Sequence, residues 1–132
     1  MPSELPTSRY LLMGALGVLF WLNAALIIRV LSGYGMLEGS GRIICFALSI
    51  PLAFVTIWIF RALARFEWRH MFLAITVATA VAQICDGIAL TYAPGLYSND
   101  PAHIGFAGAV ILFGAGAGII AALWATLRWG QE

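Results

Sequence analysis

YLLMGALGVLFWLNAALIIRVL, from Tyr10 to Leu31, carries one charge, Arg29, in 22 positions. A helix rises 1.5 Å per residue, so about 20 apolar residues cross the roughly 30 Å of a bilayer's hydrocarbon. The run exceeds the roughly 7–15 apolar residues of a secretory signal, and no small-x-small cleavage site follows it, so it reads as a retained helix. Three more runs of this kind follow, at about Ile43–Leu63, Met71–Tyr92 and Ile104–Leu127. Backbone groups in lipid must find partners within their own segment, so each run is expected to be an α-helix. The expected fold is all-α, a single polytopic domain over residues 1–132 with four transmembrane helices in a compact antiparallel bundle.

Composition agrees. The chain is 62% hydrophobic and 10% charged, with a mean hydropathy of +0.94. Soluble domains carry about a quarter charged residues, and 132 residues are too few to hide this much apolar surface from water. Every basic residue is arginine, which excludes lysine-based Schiff-base and P-loop chemistry. The net charge of +1 gives no footprint for nucleic acid. Cys45 and Cys85 are too few for a disulfide scaffold and lack the C-x-x-C spacing of a thiol oxidoreductase. Both lie toward the same end of the helices, so a disulfide is geometrically conceivable, though two packed thiols are expected.

The connectors carry turn and cap signals. Ser32–Gly41, SGYGMLEGSG, is glycine-rich and ends with Ser40 as a candidate cap. YAPGLYSNDP has a Pro94-Gly95 turn, then Asp100 as a cap and Pro101 suited to the first helical position. Arg9, Arg61, Arg65, Arg69 and Arg128 fall on one side and only Arg29 and Arg42 on the other. The positive-inside rule then places both termini and the loop RALARFEWRH in the cytoplasm. Trp58, Trp68, Trp124 and Trp129 suit an interfacial belt on that side, and Tyr34, Tyr92 and Tyr97 fall on the other. Arg61, Arg65 and Arg69 are expected to set topology, with anionic headgroup binding as the alternative.

Asp86 is the one carboxylate inside a span. It lies six residues before Tyr92, about 9 Å from the helix end. Thr76, Thr79, Gln83 and Asp86 are spaced three, four and three apart and share one helical face. An ionised carboxylate facing lipid is heavily penalised, so that face should meet other helices or a wet cavity. Arg29 is the expected partner of Asp86, with Arg42 second; His103 starts the fourth helix at a similar depth. Asn23 lies about 120° round helix 1 from Arg29, so the two cannot point at one spot. Such a pair can simply lock helices together, or it can mark a ligand, ion or proton site; both readings stand.

Elsewhere, Gly114-x-x-x-Gly118-x-x-x-Ala122 suits close helix packing, inside the bundle or across a homodimer. Pro51 is expected to kink helix 2. A metal site needs several ligands together, and the two histidines, His70 and His103, fall at opposite ends, so no metal or cofactor is expected. The chain contains no nucleotide loop, G-x-S-x-G or H-E-x-x-H, and no enzyme activity is expected.

The stretch DGIALTYAPGLY (Asp86–Tyr97), ahead of a glycine- and alanine-rich fourth span and with Arg29 ending the first, resembles a family of small four-span bacterial inner-membrane proteins with no established activity. The resemblance implies fold, topology and location and leaves function open. Four-helix multidrug transporters are a looser likeness; they place a glutamate mid-way along helix 1, where this chain has only Asn23 and Arg29. The leading functional expectation is an accessory, structural or partner-binding bundle, its partners being the bilayer, a second copy or another membrane protein. A small transporter or channel subunit, with Asp86, Gln83 and Thr79 along the route, is the alternative. A binder of a lipid-soluble cofactor, using Phe20, Trp21 and Phe113, is a weaker third.

Overall fold

The structure, a computed structural model, describes residues 4–131. The four apolar runs fold as four helices: α1, Thr7–Gly33; α2, Gly41–Ala64; α3, Met71–Tyr92; and α4, Pro101–Trp129. All four are long and apolar enough to cross a membrane. Short 3-10 turns, Trp68–His70 and Pro94–Leu96, precede α3 and follow it. Helix α2 continues through Pro51.

The caps behave unequally. Asp100 accepts the Ala102 N–H at 2.9 Å and Pro101 occupies the first turn, so α4 begins as its sequence requires. Ser40 has helical backbone angles and its side chain caps nothing, contrary to expectation. A backbone turn replaces it, Gly41 N–H donating to Glu38 O at 3.0 Å. Gly41 is pressed onto Met36, whose Cα would lie 2.8 Å from any added Cβ, so only glycine fits.

Consecutive helices run antiparallel, with both described chain ends and the α2–α3 loop at one end (the terminal end) and the other two loops at the opposite end (the loop end). The closest packing joins helices from different hairpins: α1 with α3, and α2 with α4, each pair parallel. Helices α3 and α4 close the bundle, whereas α1 and α2 approach little along their backbones. Stacked Phe20 and Phe60, 5.0 Å between centroids, bridge that wider seam.

Small residues explain the α1–α3 contact. Gly17 is buried, and a Cβ there would collide with the carbonyl oxygen of Ala78 and stand 3.0 Å from its Cα. The expected motif on α4 behaves differently. Ala122 is fully buried, but a Cβ on Gly114 would meet only Ser49 Oγ, at 4.0 Å, and one on Gly118 would meet nothing. Alanines Ala121, Ala122 and Ala125 therefore pack α4, not its glycines.

Two apolar layers fill the bundle. Met13, Ile57, Phe60, Phe66 and Met71 form the layer at the terminal end, and Ala25, Leu37, Cys45, Phe106 and Ala107 the layer at the loop end. Trp58, Trp68, Trp124 and Trp129, expected as a belt, touch in series: Trp68 lies 4.8 Å from Trp129, which lies 5.1 Å from Trp124. Arg9 donates to Ala64 O at 2.7 Å and covers the Phe66 ring. Arg61 donates to Phe66 O at 3.1 Å, and Arg69 pairs with Glu67 at 2.6 Å. Both cysteines are free, Cys45 buried and Cys85 half-buried.

Candidate functional site

The loop end gathers the buried polar side chains. Turns at Pro94–Leu96 fold the α3–α4 connector inward, so Tyr97 is fully buried against α1 and α3. Its hydroxyl donates to Asp86 Oδ1 at 2.5 Å and accepts the indole N–H of Trp21 at 3.0 Å. One hydroxyl thus joins α1, α3 and the connector. Burial first, and then the bond to Asp86, push the Tyr97 phenol above its ordinary pKa.

Arg29 is not the partner of Asp86. It is exposed, donates to the carbonyl of Gly95 and reaches Asn99 Oδ1 at 3.4 Å. Arg42 also turns elsewhere, donating to Leu37 O at 3.1 Å and lying 5.2 Å from the Phe106 centroid. The guanidinium–carboxylate pairing expected from depth alone fails because Tyr97, on a connector that folds inward, reaches the carboxylate. Both arginines stay near the rim, holding loop carbonyls.

The rest of the α3 stripe is only partly accounted for. Thr79 and Gln83 are half-buried and make no hydrogen bond among the described residues, and Thr76 Oγ1 is buried without a partner. At 100° per residue these three lie on the flank of α3 opposite the one that Gly14 meets at Val81. Asn23 is exposed and joins no other polar group of the described chain.

A second polar group surrounds His103, which lies in the first turn of α4 with its side chain 7% exposed. Its Nδ1 is 2.8 Å from Ser32 Oγ, at the end of α1, and 3.3 Å from Ser98 Oγ; the two hydroxyls are 2.5 Å apart. Its Nε2 faces Glu38 Oε1 at 2.5 Å and Asp100 Oδ2 at 3.6 Å. The line hydroxyl–imidazole–carboxylate can pass a proton or orient a ring nitrogen. Ser32 is half-buried and shares its hydroxyl between His103 and Ser98.

The sequence reading reached Asp86 and His103 but missed Tyr97, Ser32, Ser98 and Glu38. The signal for them was collective: both loops at this end are rich in hydroxyls and carboxylates, on the side where His103 begins α4. The aromatics named for a cofactor are occupied by internal contacts. Phe20 stacks on Phe60, Trp21 bonds Tyr97, and Phe113 packs 4.8 Å from Phe46. The chain matches no protein-family model, no curated protein and no solved structure.

Proposed function

We propose that this protein is an accessory membrane bundle that engages a second transmembrane partner, and not a conduit. The observation that carries this reading is the closed bond of Asp86 with Tyr97. The one intramembrane carboxylate is engaged by an internal hydroxyl, which in turn holds Trp21, so its polarity serves to lock α1, α3 and the connector. The arginine distribution supports both termini in the cytoplasm and the polar cap outside, and the resemblance carried by Asp86–Tyr97 supports a bacterial inner membrane.

The partner side of the proposal rests on Asn23. Leu19, Asn23, Leu26 and Val30 follow each other at four, three and four residues and all face out of the bundle. Two of them, Leu26 and Val30, line a shallow apolar hollow of about 240 Å³ together with Ile27 and Leu31. A carboxamide carries both donors and acceptors, so two copies of Asn23 across a two-fold axis satisfy one another where lipid cannot. Asn23→Val is expected to weaken self-association by about 0.6 kcal/mol or more, read by sedimentation in detergent. An unchanged or absent association removes the homodimer from the proposal.

The conduit reading keeps one observation in its favour, the unbonded stripe of Thr76, Thr79 and Gln83. Proteoliposomes loaded with a pH-sensitive dye separate the two. The scaffold reading expects flux equal to that of protein-free vesicles, for the native chain and for Asp86→Asn alike. Flux in the native chain that Asp86→Asn abolishes, in protein that still folds, establishes the conduit instead.

A further inference from the structure

We propose that Glu38, Asp100 and His103 form a binding site for a divalent transition-metal ion of the Zn²⁺ type at the loop end. One oxygen from each carboxylate and one imidazole nitrogen lie within 4.8 Å of one another. This goes beyond the accessory role and does not depend on it.

Three features suit a metal ion. The first is the orientation of the ring. Ser32 Oγ, 2.8 Å from Nδ1, can accept that N–H and fix the tautomer whose Nε2 lone pair points at the carboxylates. A ring lone pair and carboxylate oxygens cannot face one another without a cation between them, either a proton or a metal. The second is unspent charge. Arg29 and Arg42 hold loop groups, and among the described residues no arginine pairs with Glu38 or Asp100. The third is division of labour within Asp100, whose Oδ1 caps α4 at Ala102 while Oδ2 stays with the histidine.

The distances suit the ion. Tetrahedral Zn²⁺ with ligands at about 2.0–2.1 Å holds them roughly 3.3 Å apart. Asp100 Oδ2 is 3.6 Å from Nε2, already near that spacing. Glu38 Oε1, at 2.5 Å, must recede by under about 1 Å. Its side chain is 62% exposed, so a rotation of the side chain alone supplies that movement. One imidazole and two carboxylates leave a fourth position for water, as in open zinc sites.

The test is calorimetric titration of ZnCl₂ into the EDTA-stripped full-length chain in nanodiscs, with MgCl₂ as the control. The expected result is saturable binding of one Zn²⁺ per chain, undetectable for Mg²⁺ under the same conditions. Glu38→Gln should weaken it by about tenfold or more, and Ser32→Ala by about 10–100-fold through loss of the ring's anchor. His70→Ala, at the opposite end, should leave it unchanged. Absence of saturable binding, or equal affinity in Glu38→Gln, overturns the proposal. Because Glu38 is exposed and structurally peripheral, that variant decides the matter even where a His103 variant does not fold.

Discussion

Tyr97 joins three segments of the chain through one oxygen atom. Its hydroxyl is buried, and removing it leaves both the Asp86 carboxylate and the Trp21 indole without a partner. Leaving a buried polar group unsatisfied costs about 1–3 kcal/mol, more for a charged one. Tyr97→Phe is therefore expected to lower thermal stability by at least that amount, measured by melting in detergent. Arg29→Ala, which loses only rim contacts with Gly95 and Asn99, should cost about 1 kcal/mol or less. Equal losses from the two substitutions contradict the assignment. The raised pKa of Tyr97 has a consequence with a definite sign. A folded-state pKa above the unfolded value, about 10 for tyrosine, contributes stability that is full below that pH and declines above it. The alkaline loss of stability should thus be steeper in the native chain than in Tyr97→Phe, followed by melting across that range.

The helices were legible because length and hydropathy are local properties, and each span satisfies its own backbone. Their rotation was not legible, because it depends on which small residues meet. Gly114, Gly118 and Ala122 carry the familiar four-residue spacing, yet backbone contact occurs at Gly17 against Ala78. Gly17 has Met13 and Trp21 at that spacing, so only the partner helix, through Ala78, reveals its contact. Gly17→Ala is accordingly expected to separate α1 from α3 and to cost about 1–3 kcal/mol by overpacking. Gly118→Ala meets open space and should be neutral or stabilising by up to about 1 kcal/mol, since alanine favours the helix. Paired melting curves of the two variants check the contrast, and the reverse order of stability rules out this packing. A similar limit hid the polar cap: Glu38 and His103 stand 65 residues apart, and Tyr97 read as an interfacial aromatic until its connector folded inward.

At the scale of the whole molecule, the two hairpins are interlocked. Helix α1 packs on α3 and α2 on α4, while α1 and α2 approach each other little. The first hairpin alone thus lacks its main contacts, and the second hairpin supplies them. Expressed as two pieces divided within the α2–α3 loop, the halves should copurify, and the first piece alone should be cleared by proteolysis. A stable, separately purified α1–α2 piece contradicts the interlocked arrangement. The central claim, that the buried Asp86 carboxylate is a lock held by Tyr97, is tested most directly by a double-mutant cycle. Asp86→Ala and Tyr97→Phe, singly and together, are compared by reversible unfolding in lipid, with Arg29→Ala cycled against Asp86→Ala as the reference. The account predicts a coupling of about 1 kcal/mol or more between Asp86 and Tyr97, and additivity within about 0.5 kcal/mol between Asp86 and Arg29. Additive effects for the first pair and coupling for the second would return the carboxylate to the arginine and contradict the account.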